Sequence, residues 1–247
     1  MKISSLTDIG ATREMNQDYL YSSEEAVGNL PNLFLVADGM GGHKAGEFAS
    51  RFTVEAVVAA IRESKEERPI AILSQSIQCA NRRLKEYADG HQQMKGMGTT
   101  IVAAVIEKNS LIVANVGDSR LYIVGDTIEQ ITEDHSLVQE MVRLGEMDEE
   151  SARNHPNKNI ITRAIGASED VKIDIFEKHL HDGEYIVLCS DGLTNMVEDS
   201  MILQVLHGEG TLTDKTERLV ELANKNGGKD NITVTIIEPN SDEVTEC

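Results

Sequence analysis

The chain has 247 residues, 40% hydrophobic and 26% charged, enough to bury a substantial core in one large domain or two small ones. A formal charge of -19 works against DNA and anionic lipid as partners, and 4% aromatic residues without any Trp argue against a base-stacking platform. Cys79, Cys189 and Cys247 lie far apart and form no CxxC, so the expectation is a reduced, cytoplasmic protein with neither a disulfide framework nor a zinc site.

Lys2–Ile9 reads as a first strand, and its flanking MKISSLTDIG has no apolar core of the kind a signal peptide needs. Leu33–Ala37 is the next strand. The segment Lys44–Arg62 places Phe48, Phe52, Val54, Val58 and Ile61 near one face of a helix, and Ile70–Tyr87 reads similarly. Strands follow at Thr99–Ile106, Leu111–Val116 and Arg120–Val124. The tiny turns between Leu111 and Ile131, including Gly125–Asp126, predict antiparallel hairpins. Leu137–Leu144 and Glu149–Asn154 read as short helices, Glu184–Cys189 as a strand, Thr213–Asn226 as a helix and Asn231–Ile237 as a last strand. No apolar run approaches the roughly 18 residues that cross a bilayer, so no membrane insertion is expected. The elements do not alternate regularly, which favours a layered α+β fold over a doubly wound parallel sheet.

Acids recur where these strands end. Asp38 follows LFLVA, Asp118 follows IVANVG, Asp191 follows YIVLCS, and Asp230 precedes NITVTII; Asp18 lies in MNQDYL. Any single Asp-Gly pair is most simply a turn. Four acids at the ends of the most apolar strands can instead converge, and converging carboxylates repel unless a cation lies between them. An oxygen-only set points to Mg²⁺ or Mn²⁺. Two such ions can share a carboxylate and a hydroxide, an arrangement that hydrolyses phosphate esters. The glycine-rich stretch GMGGHKAGE is a poor phosphate loop by comparison: it lacks both GK[ST] and the GxGxxG spacing.

Eight motifs then occur in order: GATREMNQD, VADGMGGHKAGE, GMGTT, ANVGDSRLY, TEDHSLV, HPNKNIITRAIG, LCSDGLTNMV and GGKDNITV. Together they resemble the metal-dependent PPM (PP2C-type) serine/threonine protein phosphatases, in particular the compact bacterial class. The resemblance implies a four-layer α-β-β-α sandwich of two antiparallel sheets flanked by helices. It implies one phosphatase domain over residues 1–240, a flap at about 136–163, and a polar tail at 241–247. It also implies hydrolysis of phosphoserine and phosphothreonine by a hydroxide bridging two Mn²⁺ or Mg²⁺ ions.

Family roles carry over where residues match. Asp38 would bridge the core ions, the Gly39 carbonyl would bind one of them, and Asp191 and Asp230 the other. Asp118, with Asp191, matches a third metal site. Asp18 would act through metal-bound water, and Arg13 would bind the substrate phosphate. His43 is either the acid that protonates the leaving alkoxide or a residue that orders its loop. His135 and His155 read as structural or flap residues, and Asn231 as a brace for Asp230. The flap cations Arg143, Arg153, Lys158 and Arg163 either steer phosphorylated substrates or form local ion pairs. Implied partners are phosphorylated proteins and a cognate eukaryotic-like Ser/Thr kinase, with the chain a monomer. Two further readings stand beside this one: a catalytically weak module that binds phosphoproteins, and a two-metal phosphoesterase acting on small phosphorylated molecules.

Overall fold

The apolar runs of this chain are continuous because its central strands are covered on both faces. In a computed structural model, which describes residues 1–42 and 44–239, eleven strands form two antiparallel sheets. They are β1 (Lys2–Asp8), β2 (Asp18–Ser23), β3 (Leu33–Met40), β4 (Gly98–Thr99), β5 (Ile101–Glu107), β6 (Ser110–Val116), β7 (Arg120–Val124), β8 (Ile128–Gln130), β9 (Asp174–His179), β10 (Tyr185–Cys189) and β11 (Ile232–Glu238). One sheet has the order β1-β11-β10-β7-β8. The other runs β2-β3-β5-β6-β9, with β4 paired to β3.

Among the described residues, seven α-helices surround them: α1 (Ala45–Glu63), α2 (Pro69–Gly90), α3 (Leu137–Arg143), α4 (Glu149–Arg153), α5 (Asp191–Thr194), α6 (Asp199–His207) and α7 (Leu212–Lys225). The period of two along each strand assigns its residues to layers. On β3, Phe34 and Val36 pack with Leu121, Ile123, Ile186 and Leu188 of the opposite sheet. Their neighbours Leu35 and Ala37 pack outward with Val57 and Ile61 of α1 and Ile77 and Leu84 of α2. On the far side, Val187, Cys189, Val234 and Ile236 pack against Ile202 and Leu206 of α6 and Leu219 and Ala223 of α7. The order of layers is therefore helices, sheet, sheet, helices, as the family resemblance implies. Cys189 is a fully buried core thiol.

Two differences from the sequence expectation bear on the site. The strand expected to end at Ala37 continues to Met40, with Asp18 opposite Asp38, and Gly39 and Met40 opposite Thr99 and Gly98. Gly39 makes this possible, since a Cβ there would lie 2.0 Å from the Gly46 carbonyl oxygen on α1. The strand DYLYSS and helices α5 and α6 had no clear period to reveal them; α5 has only 4 residues.

Candidate active site

The two sheets bring their acids to one end. Asp18 and Asp38 are cross-strand partners on β2 and β3. Asp118 lies two residues beyond β6, Asp191 two beyond β10, and Asp230 two before β11. Asp18 ties the sheets together: its Oδ2 accepts at 2.6 Å from Ser190 Oγ, one residue past β10, and at 2.7 Å from Thr233 Oγ1 on β11 of the opposite sheet. Its Oδ1 is buried without a hydrogen-bond partner, and so is Oδ1 of Asp191.

Backbone and side-chain bonds fix each carboxylate. Asp38 donates its N–H to Thr100 Oγ1 at 2.9 Å, and its carbonyl accepts from the Thr100 N–H at 2.9 Å and from Thr99 Oγ1 at 2.8 Å. Thr100 Oγ1 also lies 2.7 Å from Ser119 Oγ, linking β3 to the Asp118 turn. Asp191 Oδ2 accepts from Asn195 Nδ2 at 2.9 Å. Asp230 Oδ1 accepts from the Asn231 N–H at 2.9 Å. The Asn231 side chain accepts from Gln17 N–H at 2.8 Å and donates to the Ile9 and Met15 carbonyls at 2.9 and 3.0 Å, holding the loop that carries Arg13.

Electrostatics show how strained this grouping is without a counter-ion. Burial, and then the charges of Asp18, Asp191, Asp118 and Asp230, raise the Asp38 carboxyl well above its usual range. Burial raises Asp18 to about 7, opposed by its bonds from Ser190 and Thr233. Burial and Asp230 raise Asp191 to about 6. Asp118 is also raised well above the ordinary value, first by burial and then by Asp191. Arg13 is bonded directly to one of the acids: its Nη2 donates to Asp230 Oδ2 at 2.6 Å, and its Nε lies 3.4 Å from the Lys229 carbonyl.

The residues fit a pair of hard divalent ions. All donors are oxygen, two buried carboxylate oxygens lack partners, and the acids raise one another's pKa. Among the described residues, no three His, Cys, Asp or Glu side chains gather closely enough to hold an ion by themselves. Mg²⁺ is usually held by one or two carboxylates together with water.

Beside this end lies a cavity of about 620 Å³, lined by Asp118, Arg120, Asp134, Asp191, Arg153 and Lys158 among others. Arg120 is bound by Asp134 through Nε and Nη2, at 2.9 and 2.7 Å. Arg153 reaches the Thr194 and Val197 carbonyls at 3.4 Å, while Arg163 pairs with Asp174 at 2.9 Å. Arg153 and Arg163 are thus partly spent on local bonds. Burial and the Arg153 charge lower the Lys158 ammonium below its usual value. His43 lies outside the described residues, as does the tail from 240 onward.

Thr100, Ser190, Thr233 and Asn195 were not singled out in the sequence. Ser190 and Asn195 carry a signal, since both flank Asp191 in LCSDGLTN; Thr100 in GMGTT and Thr233 in DNITV read as ordinary β-branched strand residues.

Fold and site define a class: an antiparallel α-β-β-α sandwich with an oxygen-only acidic centre at one end of its sheets. A family profile described as protein phosphatase 2C matches residues 11–234. The serine/threonine phosphatase stp of Listeria welshimeri is 41% identical over 241 residues, covering 95% of this chain and 94% of that protein. The solved serine/threonine phosphatase of S. agalactiae superposes with a TM-score of 0.88 at 44% identity, over 95% of this chain and 98% of that one. A structure of the catalytic domain of the phosphatase PstP, in complex with two manganese ions, superposes at 0.83 with 31% identity over 95% of this chain and 96% of that one. The chain belongs to the protein phosphatase 2C family.

Proposed function

We propose that this chain is a metal-dependent protein phosphatase that hydrolyses phosphoserine and phosphothreonine. The observation that carries the reading is the convergence of Asp18, Asp38, Asp118, Asp191 and Asp230 on one sheet edge, with Arg13 at its rim. Asp38 and the Gly39 carbonyl, with Asp191 and Asp230, would hold two Mn²⁺ or Mg²⁺ ions. Asp18 would act through water, and Asp118 with Asp191 would hold a third ion. Bound there, such ions lower the pKa of water to yield a nucleophile near neutral pH and offset the charge on phosphate.

The protein's own groups do the rest. Ser190 and Thr233 hold Asp18 by one oxygen and leave the other buried without a partner. Thr100 fixes the Asp38 backbone through both its N–H and its carbonyl, which sets where the carboxylate leaves the strand. Arg13 is exposed and half of its fork is on Asp230, so it can turn its guanidinium to the phosphate oxygens and stabilise charge in the transition state. Cys189 is not available as a nucleophile, since it is buried and its thiol is pushed up to about 12.

The same reading covers the chain's setting. Residues 1–240 act as one catalytic unit, with 136–163 as the flap beside the cleft. The substrates are phosphorylated proteins, and a monoester consumed here must be made by phosphoryl transfer, which makes a Ser/Thr kinase the cognate partner. A cytoplasmic monomer fits the cysteine usage and the family. Among the described residues no helix is long and apolar enough to cross a membrane.

The test is phosphate release from a phosphothreonine peptide with Mn²⁺, with EDTA, and in Asp38→Ala and Asp191→Ala variants. We expect chelation to abolish turnover and each variant to lose nearly all of it. Activity that survives both would exclude the mechanism.

A further inference from the structure

We infer that His135 is a positioning residue that ties the Asp118 turn to the root of the flap, one ring nitrogen serving each. His135 is 5% exposed and every polar group it has is used. Two of them hold Gly117, the residue before Asp118. The His135 N–H donates to the Gly117 carbonyl at 3.0 Å, and the Gly117 N–H donates back to His135 Nδ1 at 3.0 Å. Gly117 needs this support: its φ is +110°, and a Cβ there would lie 2.5 Å from Thr100 Cγ2. The turn that aims Asp118 is therefore shaped by glycine, backed by Thr100 and clamped by His135.

The other two groups face the flap. The His135 carbonyl accepts from Thr162 N–H at 2.7 Å, and Ser136 and Ile161 form a β-bridge. Because Nδ1 accepts, the neutral ring carries its proton on Nε2, which lies 3.0 Å from its acceptor Asp174 Oδ2 and also 3.0 Å from Arg163 Nη1. Arg163 Nη1 donates to Asp174 Oδ1 at 2.9 Å and closes the group. Asp174 begins β9, so a rigid sheet edge anchors the ring, while Arg163 and Thr162 belong to the returning arm of the flap. One imidazole thus joins the start of the flap, its return, the sheet and the Asp118 turn. A displacement of the flap root reaches Asp118 through two hydrogen bonds.

The inference rests on the reading of Asp118 as a ligand for a weaker ion. Its test separates the two nitrogens. Asn can offer an acceptor near the Nδ1 position, and Gln can place a donor near the Nε2 position. Mn²⁺ binding by the intact chain is followed by electron paramagnetic resonance, with Asp118→Asn identifying the ion that depends on that carboxylate. Amide hydrogen exchange is followed over residues 136–163. We expect His135→Ala to weaken the Asp118-dependent ion by roughly 10–100-fold, the usual effect of losing a group that orients a ligand, and to speed exchange at the flap roots. His135→Asn should restore the ion but not flap protection; His135→Gln should restore flap protection but not the ion. Asp174→Asn, which keeps the ring, should speed flap exchange and leave the ion in place. Equal losses in all His135 variants, following only their loss of thermal stability, would overturn the inference. If the wild-type chain binds no Asp118-dependent ion, the reading of Asp118 fails, and the flap measurements alone decide whether His135 holds the root.

Discussion

At the scale of single residues, the site is a set of carboxylates whose positions are set by neutral hydroxyls and amides. Arg13 is the exception, a cation that answers one of those charges. Its pair with Asp230 has one partner 47% exposed and the other 26%, so solvent screens it and it contributes only about 0–1 kcal/mol to folding. Its value lies in its planar fork. We expect Arg13→Ala to leave the melting temperature nearly unchanged and to lower kcat/KM on a phosphothreonine peptide by on the order of 100-fold, the range seen when one preorganised donor is removed. Mn²⁺ affinity, measured by calorimetry, should hold or rise slightly, because Asp230 loses a competing partner. Arg13→Lys should recover only part of the rate, since a single ammonium cannot bind two phosphate oxygens as a fork does. Loss of core-ion binding in Arg13→Ala would contradict this role.

At the scale of elements, the acids converge because strands, turns and a very short helix meet closely. Helix α5 starts at Asp191, and a Cβ on the next residue, Gly192, would lie 1.9 Å from the Asn231 carbonyl oxygen. Gly192 has an ordinary φ, so this contact is what demands glycine there. Gly192→Ala should push α5 from the 230–231 segment, destabilising the fold by about 1–3 kcal/mol through overpacking. It should also weaken Mn²⁺ binding more than its stability loss explains, because Asp191 and Asp230 move apart; calorimetry beside thermal melting separates the two effects. Much of this arrangement was legible in the sequence. Runs such as IVAAVI and LIVANV announce buried strands, and Asp beside Gly at their ends marks the edge. DYLYSS was not legible, because five polar or aromatic residues conceal a strand whose partner β3 is fixed only in three dimensions. The braces were also hidden: Thr233 reads as one more β-branched strand residue until the opposite sheet places Asp18 against it.

At the scale of the whole molecule, a net charge of -19 is not spread evenly, since part of it is forced into the seam between two sheets. That seam joins the fold's stability to the ions proposed for it. The carboxyls of Asp18 and Asp191 are raised to about 7 and about 6, and those of Asp38 and Asp118 are raised as well, mainly by burial. A carboxyl with a folded pKa above its unfolded value near 4 binds more protons when folded than when unfolded. Its contribution is therefore complete below about pH 4 and is lost as pH rises through the folded value. For Asp18 and Asp191 the loss falls between about pH 4 and 7. The metal-free chain should accordingly lose stability across that window as pH rises, apart from contributions by groups elsewhere. Divalent ions act in the opposite sense: they bind the ionised carboxylates of the folded state and stabilise it by about 2.7 kcal/mol at 100 times Kd. The shift in melting temperature on adding Mn²⁺ should therefore be small near pH 5 and grow toward pH 8. Asp38→Asn, which removes one buried charge, should flatten the decline of the metal-free chain with pH and shrink the shift. Melting curves at several pH values, with Mn²⁺ and with EDTA, measure both slopes. A metal-free chain whose stability climbs steadily from pH 5 to 8, with a shift independent of pH, would mean that the seam carboxyls ionise freely and that their charges are already answered within the protein.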